Sequence, residues 1–205
     1  QVRPARATIG ATREDNMIEF FFDCSSPWTY LAFHSIPPIA AEFGEDIVWK
    51  PILVGGVFNA VNPSVYAARE NPVPAKAAYM LKDLADWARA SGLTIRMPPS
   101  VFPVNSVKAM RGCVFLEPEG KLVDFARATF EAYWGRDVDI SKDEALADIC
   151  ISVGVEPARY DRIVAVGEKL VDGAFRLGPD DAVIGKELAK DLGLAVGDRF
   201  RLLTA

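Results

Sequence analysis

Residues 18–30, Ile-Glu-Phe-Phe-Phe-Asp-Cys-Ser-Ser-Pro-Trp-Thr-Tyr, constrain the fold more than any other stretch. Ile18 to Phe22 is a short apolar, aromatic run that stops at turn residues, the pattern of a buried strand. Asp23 to Ser26 supply turn and N-cap chemistry. Pro27 falls at the first helical position, where a missing N–H costs nothing. A strand therefore feeds directly into a helix whose N-cap, or its edge, is Ser26. A serine there can be a cap and no more. Its hydroxyl also sits among unpaired N–H groups at the positive end of a helix dipole, where anions are stabilised, and a thiolate is an anion.

The helix that begins at Pro27 should run to about Phe43, with Tyr30, Leu31, Phe33, Ile36 and Ile39 among its apolar positions and Gly44 as its stop. Pro37 and Pro38 should kink or split it. Ile47 to Leu53 reads as a second strand. A strand, a helix and a strand within about 35 residues form a βαβ unit with parallel strands. Residues 55–63 read as a loop by their Gly, Asn and Pro content. A helix from Val73 to about Ser91 presents Leu81, Leu84, Ala85 and Ala88 as its apolar face and brings Lys76 and Tyr79 together near its start. A Pro-rich loop over 97–106 ends in Asn105 and Ser106, either of which can cap a helix from Val107 to Leu116. Lys121 to Trp134 reads as a helix with Leu122, Phe125, Ala126, Thr129, Phe130 and Tyr133 on one face. Ser141 and Glu144 have the spacing of a capping box for the next helix, which ends near Gly154.

Composition narrows the function. Net charge is −5 over 205 residues, without a long basic run, so neither nucleic acid nor an anionic membrane surface is the expected partner. No apolar run reaches the length of a membrane span. Cys24, Cys113 and Cys150 are odd in number and far apart, which suggests neither a disulfide framework nor a metal site. A reducing compartment fits them, and a cytoplasmic location is expected. The one histidine, His34, follows Ser26 by about two helical turns, but no G-x-S-x-G elbow supports a hydrolase. Residues 1–16 fit no targeting signal and read as a disordered lead-in before Met17.

The segment from Phe21 to Ala32 resembles the first strand and helix of 2-hydroxychromene-2-carboxylate isomerases and kappa-class glutathione transferases, relatives of the DsbA-like, thioredoxin-fold disulfide oxidoreductases. In the oxidoreductases a Cys-x-x-Cys pair occupies the helix start. Here Ser26-Pro27-Trp28-Thr29 stands there, so dithiol chemistry at the motif is not expected. Two further segments are similar to the same families: Pro74-Ala75-Lys76-Ala77-Ala78-Tyr79, and Phe102-Pro103-Val104-Asn105-Ser106. The resemblance implies glutathione as the source of sulfur, held by Ser26, Pro27, Trp28, Asn62 and Lys76, with Ser26 stabilising the thiolate. It implies that a small aromatic carboxylate meets Asn59, Tyr79, Pro103, Asn105, Tyr133 and Trp134. Tyr133 and Trp134 either wall the pocket or belong to the core. A possible homodimer is implied too.

The resemblance covers roughly residues 17–160. The family's later segment, a cis-proline leading into an apolar strand, is not found; Pro179 is followed by acids. Residues 167–205 instead resemble a segment of the periplasmic core domain of ABC-type permeases. The expected fold is α/β, a thioredoxin-like βαβ unit with an inserted helical domain and an atypical C-terminal half of the sheet. The division is a lead-in at 1–16, the α/β domain at 17–62 and 161–205, and the insertion at 63–160. The expected function is a glutathione-dependent cis–trans isomerase acting on an intermediate of aromatic degradation. The alternatives are a kappa-class-like transferase and a non-catalytic remnant without the cis-proline half of the site.

Overall fold

A computed structural model describes residues 17–61 and 70–156. The expectations for residues 1–16, for Asn62 and for the tail lie outside the described residues. Strand β1 (Met17–Phe22) leads into α1 (Pro27–Phe43) and then β2 (Asp46–Pro51). β1 and β2 pair in parallel, Met17 opposite Asp46 through Phe22 opposite Pro51. The βαβ unit expected from the sequence is therefore present, within the thioredoxin-like α/β class.

β1 is not uniformly buried. Phe20 and Phe22 turn inward, while Met17 and Phe21 are more than half exposed among the described residues. The inward face joins Tyr30 and Phe33 of α1 and Trp49 of β2 in an aromatic cluster, with Phe33 and Trp49 ring centres 4.4 Å apart. Phe130 closes it from the helical side. It stacks on Tyr30 at 5.2 Å with rings 6° from parallel, and lies 5.2 Å from Phe33. Aromatic pairs of this kind add about 0.5–1.5 kcal/mol beyond simple burial.

The helix α1 is not split by Pro37 and Pro38. The two prolines remove the bonds that residues 37 and 38 would give to the carbonyls of Phe33 and His34. Burial of Phe33 before them and Ala40 after them keeps the chain on its helical path. Gly44 ends the helix with φ of 71°, the left-handed conformation anticipated for a glycine stop.

The segment expected to be a loop after β2 is a helix, α2 (Val54–Val61). Its apolar residues Val54, Val57, Phe58 and Val61 have i, i+3, i+4, i+7 spacing, a signal that Gly55-Gly56 obscures. Its first N–H is also satisfied from outside. The buried carboxylate of Asp23 accepts from Val54 N through Oδ2 and from Ser25 N through Oδ1, both at 2.8 Å. One acidic side chain thus ties the end of β1 to the start of α2.

Four α-helices follow among the described residues: α3 (Pro74–Ala90), α4 (Val107–Leu116), α5 (Leu122–Phe130) and α6 (Asp143–Ser152). α3 meets α1 through Leu31 against Leu84 and Ala88, whereas Leu81 and Ala85 of its expected apolar face are exposed. The expected face of α5 is buried throughout. Its continuation differs from a single helix to Trp134: after Phe130 the chain widens into a π-helical turn over Glu131–Gly135. The capping box at α6 does not form. Asp139 Oδ1 takes the Ser141 hydroxyl at 2.6 Å and its N–H at 3.0 Å, so Ser141 donates into a turn closed by Asp139 instead of capping the helix, whose N-cap is Lys142. That bond from the Ser141 hydroxyl holds the Asp139 carboxyl below its ordinary range.

Replacing Asp23 by Ala should remove both backbone anchors at once. Loss of a buried acceptor of two N–H groups should cost about 2–3 kcal/mol, read as a lower urea midpoint with unchanged slope.

Candidate active site at the start of helix α1

Ser26 occupies the N-cap as expected, with extended backbone (φ −107°, ψ 120°). Its Oγ accepts from Thr29 N at 3.2 Å and its carbonyl from Tyr30 N at 3.1 Å. A serine hydroxyl that accepts one bond still carries its own O–H to donate. Ser26 is half-buried, so a ligand can reach that proton. Pro27 has no N–H, and that of Trp28 has no protein acceptor among the described residues. The Trp28 side chain is exposed. The helix start thus offers a hydroxyl donor, a backbone N–H, the positive end of a 17-residue helix and an apolar ring.

The turn that carries Ser26 is held from below. Cys24 N donates to Met110 Sδ at 3.4 Å, and the Cys24 carbonyl accepts from the indole Nε1 of Trp134 at 2.9 Å. The Cys24 thiol is fully buried beside Cys113. Burial first, then the bond to Cys113, pushes its pKa well above the ordinary range. It is a packed thiol, not a thiolate nucleophile. His34 is exposed on α1.

Tyr133 and Trp134 are core residues, 1% and 0% exposed. They do not wall an open pocket in this structure; their polar ends organise its surroundings. The Tyr133 hydroxyl donates to Val101 O at 2.8 Å and so fixes the Pro-rich loop. Burial raises the phenol to about 12, with a backbone hydrogen bond from Val104 pulling the other way. Trp134 O accepts from Arg96 N at 2.8 Å, and Ser100 N donates to Asp137 Oδ1 at 2.7 Å. The π-helical turn and the residues just after it therefore grip both the loop and the Ser26 turn.

In that loop the Phe102–Pro103 peptide is cis, as is Met97–Pro98. Pro103 and Asn105 are exposed. Ser106 is the N-cap of α4 but makes no side-chain cap bond; Asn105 Oδ1 accepts from the helix's first N–H, Val107 N, at 3.0 Å, which leaves the Asn105 amide hydrogens for another partner. Lys76 and Tyr79 lie exposed on the first two turns of α3, and Asn59 falls on α2. Explicit hydrogen bonds join Cys24, Trp134, Tyr133 and Val101. None among the described residues joins Lys76 or Tyr79 to that group. Two features of the site escaped the sequence reading: the double role of Asp23, and the cis geometry before Pro103. The first had a signal, an acid directly before a strand-to-helix turn. The second had none, because a cis peptide is set by its surroundings. No group of three or more His, Cys, Asp or Glu side chains gathers among the described residues.

Removing the Tyr133 hydroxyl by Tyr133→Phe should cost about 1 kcal/mol at neutral pH. It should also change the alkaline limb of stability. The folded phenol keeps its proton to about 12, against about 10 when unfolded. Its contribution is thus complete below 10 and is lost as pH rises to 12. Chemical denaturation from pH 9 to 12 should show a shallower decline in the variant.

Comparison with known proteins agrees with this geometry. Residues 17–172 match the family model described as a DSBA-like thioredoxin domain. A 2-hydroxychromene-2-carboxylate isomerase of Pseudomonas putida is 24% identical over 151 residues, spanning 73% of this chain and 71% of that protein. A glutathione S-transferase kappa 1 of Caenorhabditis elegans is 25% identical over 146 residues, spanning 68% of this chain and 63% of that protein. A solved 2-hydroxychromene-2-carboxylate isomerase superposes with a TM-score of 0.59 at 22% identity, covering 73% of this chain and 71% of that one. With a strand, a Ser26-capped helix and a parallel strand at its head, this chain belongs to the DSBA-like thioredoxin domain family.

Proposed function

We propose that the chain is a glutathione-dependent isomerase of the 2-hydroxychromene-2-carboxylate isomerase type, acting on a small aromatic carboxylate. The observation that carries this reading is the state of the helix start. An accessible hydroxyl stands where a redox thiol would be needed, and Cys24, the nearest thiol, is fully buried with a raised pKa. Chemistry at the site then needs a sulfur brought in by a ligand, and a relative named a glutathione S-transferase supports glutathione as that ligand.

The residues fit such a ligand. Ser26 Oγ, already oriented by Thr29 N, donates a hydrogen bond to a sulfur anion, and the α1 dipole adds to the stabilisation. Trp28 offers an apolar surface and its N–H an anchor. When bound, glutathione supplies a thiolate able to add reversibly to an electron-poor carbon. Lys76, exposed on the first turn of α3, holds a carboxylate of the tripeptide or the substrate. The amide hydrogens of Asn105, or the phenol of Tyr79, stabilise charge that develops on oxygen. Among the described residues no side-chain base is hydrogen-bonded to the Ser26 hydroxyl, so it is a thiolate stabiliser and not itself the nucleophile.

A kappa-type transferase shares every element of this site and differs only after the addition step: the conjugate leaves instead of reverting. A hydroxychromene carboxylate and a chlorinated nitrobenzene, assayed side by side with glutathione, separate the two.

Ser26→Ala should raise the pKa of the bound thiol, followed by thiolate absorbance against pH. It should also lower turnover about 10- to 100-fold, the worth of one hydrogen bond to a charged group. Ser26→Thr, which keeps both cap and hydroxyl, should retain most of the activity. Equal thiol pKa in wild type and Ser26→Ala would remove Ser26 from this role.

A further inference from the structure

The outer edge of β2 is open among the described residues. Ile52 N donates to Phe22 O at 2.9 Å, which continues the β1–β2 ladder and sets its phase. In a parallel ladder the residues that address the neighbour alternate. Val48 and Lys50 therefore point their backbone groups at β1, while Ile47 and Trp49 point theirs away from it. No hydrogen bond from a described residue reaches those outward groups. Two concave spaces, about 290 and 460 Å³, flank Ile47 and Trp49 along that edge. One lies against Leu122 and Val123, the other against Pro37 and Ala40. An exposed strand edge with free N–H and C=O groups is a template for another strand.

The strand reads Asp-Ile-Val-Trp-Lys-Pro, and this order makes it complementary to itself. If two copies meet antiparallel about Val48, Ile47 faces Trp49 of the second copy, and Asp46 faces Lys50. The outward groups of Ile47 and Trp49 then exchange both backbone bonds, once on each side of the two-fold axis. Asp46–Lys50 and Val48–Val48 become the non-hydrogen-bonded pairs, whose side chains lie closer together. Asp46 is exposed and has no ion pair among the described residues. Lys50 lies 3.3 Å from Glu19 of its own copy, so Asp46 of the second copy joins an existing pair. Moving the axis by one residue puts Lys50 opposite Val48 or Gly44, and loses the charge match. Pro51, without an N–H, ends the ladder just past the matched pairs. Charges and prolines on an edge usually keep strands apart; here their spacing selects one register of self-pairing.

We propose that the outer edge of β2 is a self-association surface, joining two copies of this chain into a symmetric dimer by antiparallel β2–β2 pairing centred on Val48. The pairing extends the two-stranded sheet across the two-fold axis, as a closed isologous contact. It does not depend on the proposed catalytic reading.

Sedimentation velocity on the full chain across a range of concentrations tests it. Wild type should sediment as a concentration-dependent dimer. Asp46→Lys alone and Lys50→Asp alone each place like charges opposite one another twice. Each should weaken dimerisation about tenfold or more, and the double exchange Asp46→Lys with Lys50→Asp should restore it. In a second measurement, Val48→Cys should form an intermolecular disulfide under copper–phenanthroline in air, because the two introduced thiols would face each other across the axis. Ala90→Cys, at an exposed position on α3, serves as the collision control. A monomer at all concentrations would overturn the proposal. So would a dimer indifferent to the single charge changes, or a Val48→Cys variant that cross-links no faster than Ala90→Cys.

Discussion

The bond from the Trp134 indole to the Cys24 carbonyl joins positions 110 residues apart at 2.9 Å, in a fully buried setting. Much of the site depends on it. The carbonyl belongs to the turn that presents Ser26, and the indole belongs to the π-helical turn that also grips the Pro-rich loop through Tyr133. A carbonyl buried at that depth without a donor would cost about 1–3 kcal/mol. The extra residue that widens the helix after Phe130 therefore has a structural consequence. It turns two adjacent aromatic residues so that both reach a distant backbone.

The same packing separates the roles of sulfur and oxygen at the helix start. Cys24 lies two residues from Ser26, yet the thiol is sealed beside Cys113 and Met110 while the hydroxyl stays in reach of solvent. A buried thiol resists ionisation, and a half-exposed hydroxyl can serve a ligand's charge. Asp23 completes the arrangement from the other side. It spends both carboxylate oxygens on backbone N–H groups, so its charge organises the turn and α2.

The first strand, the helix and the second strand were legible from residues 17–53 because their signals are local: an apolar run, a Ser-Pro helix start, a glycine stop. The helix from Val107 was legible for the same reason, with Ser106 at its N-cap and the Asn105 side chain on its first N–H. The misreadings share a cause. Gly55-Gly56 argued for a loop because its local preference was visible and the Asp23 carboxylate that caps α2 was not. Pro37-Pro38 argued for a break because burial on either side does not show in a pair of prolines. Ser141 and Glu144 matched a capping pattern, but Asp139 competes for the same serine.

By itself the sequence determined the βαβ unit, the helix start at Ser26 and the absence of a thiol from the Ser-Pro-Trp-Thr motif. Each follows from the chemistry of neighbouring residues. Only the tertiary structure decided that Tyr133 and Trp134 are core anchors, that Cys24 is sealed from solvent, and that Asp23 holds α2. Burial and hydrogen-bond partnership depend on which distant segments meet, and a residue's type sets its capacity for a bond without naming the partner.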